Sequence, residues 1–351
     1  MDDKMPETKM SAGSPTSGNA RERMDNPPES TINARRGRFK ALAHWLLGHS
    51  VLVIFVLMVV IAATLSDSFF TERNIFNLLR QMAPLGVMSM GMLLVILTGG
   101  IDLSVGSTAA LAGVLLASLL SAGVNLFAAI ALTLLAGILC GVVPGYLVAF
   151  RNMAPFVATL AMMTIIRGAA FMLSKGSAIL VNDSRLPAFG AGAFLGVPYP
   201  VYVLALTFAA GYFVLEYTVF GRLVKAVGSN ATATRLAGIR IWIYRSLVYC
   251  LSGFLCAVAG MISASRTGVG SPVVGFGAEL DAIAAVVIGG ASLSGGTGSA
   301  VNTLLGVMTL GMIGNIMNLT NISSYPQQII KGVIIILAVL LSGWQRRSRE
   351  L

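Results

Sequence analysis

The sequence predicts an all-α membrane protein with about ten transmembrane helices, broken at Gly/Ser-rich segments, and with both termini cytoplasmic. Three observations predict it. Of 351 residues, 56% are hydrophobic and only 11% are charged, against roughly 25% charged in an ordinary soluble domain. The mean hydropathy is +0.83, more apolar surface than one water-facing core can hide, so lipid must solvate part of it. The apolar residues also come in runs of about 20, the length that crosses a bilayer as a helix. The 39 glycines fit the same picture, because small residues let membrane helices approach closely.

Residues 1–40 are expected to be a disordered polar and basic cytoplasmic tail, rich in Ser, Pro, Gly and Asn. They do not read as a secretory signal, since a long polar stretch precedes the first apolar run. Arg35, Arg36, Arg38 and Lys40 then place the N-terminus in the cytoplasm. Candidate crossings follow near 45–66, 82–99, 104–122, 125–149, 155–173, 200–219, 242–264, 282–296, 299–319 and 327–343. The pair between 282 and 319 is the least clearly divided, because Gly and Ser interrupt it. Arg346, Arg347 and Arg349 mark a basic cytoplasmic tail at 346–351. Two cytoplasmic ends require an even number of crossings. Under this count the permeation domain spans 41–345, Arg151 and the basic loop around 220–241 face the cytoplasm, and 174–200 lies outside.

The charge pattern excludes several function classes. The net charge of +10 comes from clusters at the two ends and in one internal loop, not from a basic face interleaved with aromatics, so no nucleic acid is expected. Cys140, Cys250 and Cys256 sit in apolar stretches with no metal-like spacing and read as small core residues. His44 and His49 have no Cys, Asp or Glu beside them, and no metal site is expected. "SGGTGS" at 294–299 has glycines but no Lys before its final Ser, so it is not a Walker A loop. With no HExxH, CxxC or nucleophile–His pair, the chain carries no catalytic residues and no cofactor of its own.

Asp102 is the only charged side chain between Met82 and Phe150. It sits in "LTGGIDLSVGS", 97–107. Gly99 and Gly100 are expected to end the second crossing, and Asp102 or Ser104 to cap the third. Direct lining of a polar path is the alternative use of both, because transporters build sites at broken helices. The stretch is echoed at Gly289-Gly290-Ala-Ser-Leu293-Ser294. The intramembrane acids are too few for an ion-coupled carrier. That favours a neutral polar solute and an external energy source.

The segment "FGRLVKAVGSNATATRLAGIRIW", 220–242, follows the sixth crossing. Gly228 allows a turn, Ser229 or Asn230 can N-cap a short helix over 231–237, and Gly238 can end it. A plain basic loop is the competing reading.

Five stretches together resemble one family. They are "LTGGIDLSVGS" at 97–107, "APFVATLAMMTIIRGAAFMLSKG" at 154–176, the 220–242 segment, "ELDAIAAVVIGGASLSGGTGS" at 279–299 and "SSYPQQIIKGVIIILAV" at 323–339. In this order the chain resembles the permease subunit of bacterial ATP-binding cassette (ABC) importers of the ribose/xylose sugar class. The resemblance implies an inner-membrane homodimer working with cytoplasmic ATPase subunits, which hold the ATP and Mg, and a periplasmic sugar-binding protein. It also implies that Arg222, Gly228, Ser229, Asn230, Thr232, Ala233 and Gly238 form the ATPase-coupling segment. The family tends to carry Glu at the position of Thr232, where it would complete a capping box, and Gly at that of Ser229. A secondary carrier or facilitator of a neutral solute is the alternative function.

The remaining polar residues have two readings each. Glu279 and Asp281 suit the first turn of a helix, or they meet basic groups of a binding protein. Arg167 reads as an interfacial snorkelling anchor at the end of the fifth crossing, or shares a docking role with Lys175. Ser292 and Ser294 lie in a Gly/Ser break that can wall a pathway or serve simple close packing. Asn315, with Asn318 and Asn321, can bond a sugar hydroxyl or bridge helices.

Overall fold

In a computed structural model, residues 50–336 apart from 324 and 335 are described. The calls on the N-terminal tail, the start of the first crossing and the basic C-terminal tail lie outside the described residues. Twelve helices are delimited, with two short antiparallel strand pairs between them. They are α1 (Ser50–Leu65), α2 (Glu72–Leu97), α3 (Val105–Ser121), α4 (Leu126–Ala149), α5 (Pro155–Ser174) and α6 (Arg185–Ala191). Then come α7 (Tyr199–Tyr217), α8 (Val219–Ser229), α9 (Ala231–Leu236), α10 (Ile241–Thr267), α11 (Ala278–Ile288) and α12 (Ala300–Leu319). Residues 325–334 are helical as well. Strands β1 (Ile179–Leu180) and β4 (Val269–Gly270) pair, as do β2 (Ala193–Phe194) and β3 (Val197–Pro198).

Among the described residues six helices are long and apolar enough to cross a membrane: α2, α4, α5, α7, α10 and α12. The bounds follow from local chemistry. Asn125 caps α4 by accepting from Phe127 N–H at 2.9 Å, and Pro155 opens α5 at a position whose N–H needs no partner. Helix α2 begins ten residues before the apolar run that announces it. Thr71 caps it, and Glu72 occupies its first turn. The polar turns before Met82 hide that start from a hydropathy count.

Two expectations are corrected. Residues 282–296 do not form a crossing. Helix α11 has 11 residues, about 16 Å of rise against a hydrocarbon core of about 30 Å. It gives way at Gly289 to an irregular loop up to Ser299. And the 220–242 segment is two helices, α8 and α9, where one was expected.

The core is centred on α2, whose residues from Val87 to Leu97 are all buried. Helices α7, α8, α10, α11 and α12 surround it. Helix α10 packs along α2, α3 and α4. Its contact with α4 is backbone against backbone. A Cβ on Gly141 would strike the Tyr249 carbonyl, and one on Gly253 the Gly137 carbonyl. Such approach substitutes for the hydrophobic drive that apolar surroundings withhold. On the outside, α4 exposes Phe127, Leu135 and Leu139, and α7 exposes Leu206 and Phe213. An exposed apolar band of this kind suits acyl chains, not water. Gly141→Leu is therefore expected to destabilise the fold by at least the 1–3 kcal/mol typical of overpacking, about. It should cut the yield of monodisperse protein in size-exclusion chromatography, while Gly168→Leu, in open space, leaves it unchanged.

Candidate functional site: a polar seam at the helix breaks

Three stretches of irregular backbone interrupt the bundle: 98–104 between α2 and α3, 271–277 before α11, and 289–299 between α11 and α12. The first two are tied down by side chains from other elements, and the third by a backbone hydrogen bond to the end of α2.

In the first, Asp102 is 2% exposed. Ser104 N–H and Ser104 Oγ both donate to Asp102 Oδ1, at 3.0 and 2.6 Å. Ser252 Oγ, near the middle of α10, donates to Oδ2 at 2.9 Å. The carboxylate thus closes an Asx-type turn at the start of α3 and fastens it to α10. Ser104 is the N-cap residue of α3, but its side chain caps nothing. It serves Asp102 instead. Thr159 of α5, fully buried, donates to the Ile101 carbonyl at 3.1 Å.

In the second, Arg167 Nη1 donates to the carbonyls of Pro272 and Val274, both at 2.7 Å. Its guanidinium lies 4.3 Å over the Phe276 ring, a cation–π geometry. Arg167 is therefore no snorkelling anchor at a helix end. Helix α5 runs on to Ser174, and the guanidinium satisfies carbonyls that a broken helix leaves open. Glu279 and Asp281 do fall in the first turn of α11. Asp281 pairs with Lys331 at 2.8 Å. Glu279 points inward: its Oε2 is buried beside Gly106, in the first turn of α3. That oxygen has no surface to offer a docking partner. Lys175, by contrast, is exposed at the left-handed C-cap of α5.

In the third, Gly296 N–H donates to the Leu97 carbonyl at 3.0 Å. Ser292 Oγ accepts from Ser294 N–H at 3.3 Å, and the Ser294 carbonyl faces Gly99. The two halves of the "GG" echo therefore touch. Their likeness is a shared helix ending. Gly99 and Gly290 both adopt φ near 80° (78° and 79°) directly after the C-cap. These are the first glycine of one pair and the second of the other, so the structural equivalence is offset by one residue from the sequence echo.

The 219–236 hairpin of helices meets this junction. Gly228 makes no turn. It lies inside α8, where a Cβ would collide with the Leu97 carbonyl and Gly296 N. Ser229 ends α8 and packs on Gly296. Asn230 caps α9, accepting from Ala233 N–H at 2.9 Å. Gly238 follows the helix with φ 81°. Thr234, which the spacing did not single out, ties the two helices by donating to the Ala226 carbonyl at 3.1 Å. Thr232, Ala233, Arg235 and Leu236 are left exposed, as is Arg222. Asn315 lies elsewhere: its amide exchanges two hydrogen bonds, 2.8 and 3.1 Å, with Asn74 and so bridges α12 to α2.

With that geometry in view, comparison with known proteins is decisive. A family model described as branched-chain amino acid transport system / permease component matches residues 74–339. The chain belongs to this permease family. It is 43% identical to the ribose import permease protein RbsC of Escherichia coli strain K12, over 89% of this chain and 98% of that protein. It is 44% identical to RbsC of Bacillus subtilis, over 81% and 89%. It is 38% identical to the L-arabinose ABC transporter permease protein AraH of Azospirillum brasilense, over 86% and 88%. No solved structure matches. The resemblance to a ribose/xylose-class ABC permease is thus borne out, and this permease is a multi-pass protein of the bacterial inner membrane.

Ser252 stands 150 residues along the chain from Asp102, so only the fold reveals it as a partner. Asn at 102 is isosteric and keeps an acceptor for Ser104, while Ser252 can turn to accept from the amide. Leu strands a backbone N–H and two hydroxyls, at about 1–3 kcal/mol for each buried orphan. Asp102→Asn is expected to hold the apparent Tm within a few degrees, and Asp102→Leu to lower it steeply in a detergent thermal-shift assay.

Proposed function

We propose that the chain is the non-catalytic permease of an ABC importer that admits a sugar, a pentose, hexose or polyol, with ATP hydrolysed by partner subunits. The reading also takes in a homodimer with both ends cytoplasmic, and delivery by a periplasmic sugar-binding protein. The names of its relatives, ribose and arabinose permeases, support the substrate class. Charges within the described helices are few, and Asp102 and Arg167 are engaged within the protein, which suits passage of a neutral solute.

One observation carries the coupling mechanism. Helix α9 follows α8 after the single residue Asn230, and Gly228 of α8 touches both the end of α2 and the 289–299 loop. A push on α9 from an ATPase groove therefore reaches two helix breaks at once, with no flexible tether between. Packed backbones of this kind move as rigid bodies. Thr232 and Leu236, both exposed, form the face offered to the ATPase. Because Asn230 is the N-cap of α9, the capping-box position is Ala233, not Thr232, and Asn230 caps the helix through Ala233 N–H. Asp102, Ser104 and the 292–294 serines belong to the moving breaks, close to the route taken by the sugar.

Reconstitution tests this directly. Liposomes holding the permease and its ATPase should take up radiolabelled ribose or arabinose only with ATP inside and binding protein outside. Uptake by the chain alone, without ATP, would instead identify a secondary carrier or facilitator. Leu236→Asp is expected to reduce ATPase co-purification about tenfold, the effect of losing an apolar anchor at an interface, while leaving the Tm of the isolated permease unchanged.

A further inference from the structure

A half-open cavity of about 230 Å³ lies between the end of α2, the α4–α5 turn and the start of α10. Arg245, Tyr249, Gly99, Gly100, Ala154 and Pro155 are among its walls. None of its lining residues is acidic. Asp102, held a turn away by Ser252, is not part of the lining.

Three features of this cavity lack a partner. The Tyr249 side chain is fully buried, yet its hydroxyl makes no hydrogen bond; it lies over Gly100 at the cavity wall. Arg245 is half-buried, and among the described residues it forms no ion pair or hydrogen bond. Helix α5, 20 residues long, points its N-terminus here with no side-chain cap and no acid in its first turn. A guanidinium, a phenolic O–H and an open helix N-terminus are all donors or positive poles. Converging on one small space, they call for an oxyanion.

The surroundings say where that oxyanion comes from. Tyr146, Phe150 and Trp242 stack beside the same turn, with ring centroids 5.3 and 4.8 Å apart in sequence along the row. All three are exposed. Such a row of amphipathic rings marks the headgroup level of a bilayer. Arg151 and Arg240, both exposed, add positive charge at the flanks.

We infer that this cavity binds a phosphate-type oxyanion, presented at the membrane surface by an anionic lipid headgroup. Bound there, the phosphate bridges the 98–100 turn, the α5 N-terminus and α10. It thereby steadies the helix break at the end where α8 packs against Leu97.

The test uses the full chain in a neutral sugar-based detergent, titrated with short-chain phosphatidylglycerol or with inorganic phosphate and read by native mass spectrometry. Wild type is expected to retain phosphatidylglycerol. Arg245→Gln should weaken retention about tenfold, the loss of one charge-assisted hydrogen bond. Tyr249→Phe should weaken it about threefold without lowering Tm, because its hydroxyl bonds nothing in the protein; this variant keeps the test valid if Arg245→Gln fails to fold. Retention of inorganic phosphate alone would support the oxyanion site and overturn the lipid source. Absence of binding by either probe, or wild-type retention by both variants, would overturn the inference.

Discussion

Backbone that leaves a helix inside an apolar medium must find its hydrogen-bond partners within the protein, because no water is there to supply them. This constraint organises the permease. In two of its three irregular stretches a polar side chain from a distant helix meets the loop, and in the third Gly296 N–H bonds the Leu97 carbonyl. Asp102 accepts from the 104 amide and is held by Ser252 of α10. Arg167 gives two N–H bonds to the 272 and 274 carbonyls. Thr159 serves the 101 carbonyl. The rare charges of this chain are therefore mostly instruments of backbone satisfaction. Asp102 and Arg167 tolerate burial because they are bonded, and the breaks they serve are tolerable for the same reason.

Glycine does the complementary work. Where α8 meets α2 and the 289–299 loop, backbones lie too close for any Cβ. The same holds along the α4–α10 contact. Van der Waals packing at that range replaces the hydrophobic drive which acyl chains do not provide. It also makes the contact stiff. An element gripped by backbone on two sides passes on a displacement instead of absorbing it, which is why the short helical hairpin at 219–236 suits a coupling role.

The polar residues fall into two populations. Asp102, Arg167, Asn315 and Asp281 have partners within the protein. Arg245, Tyr249 and the exposed face of α9 do not. The second population leaves donors and apolar contacts still open, and the proposed headgroup and ATPase contacts are placed there. Burial alone does not separate the two. The Tyr249 side chain is as buried as any in the core, and only the absence of an acceptor for its hydroxyl sets it apart.

The sequence by itself determined the membrane class, the family and most helix bounds, because apolar run length and cap chemistry are local properties. The α3, α4 and α5 limits could be read within a residue or so from Asn125, Pro155 and the runs they open. It also located the Gly/Ser breaks and the short capped helix in the 220–242 segment. Tertiary structure alone decided what those features do. Ser252 stands far along the chain from Asp102, and nothing in its apolar helix marks it as that carboxylate's partner. Arg167 looked like a helix-end anchor because the carbonyls it serves belong to another break. Gly228 looked like a turn residue because glycine serves turns and close packing equally well, and only a neighbour in space tells them apart. The 282–296 run looked like a crossing because hydropathy does not register where a helix stops. In each case the deciding quantity was a distance between residues remote in sequence, set by packing, and composition and spacing do not encode it.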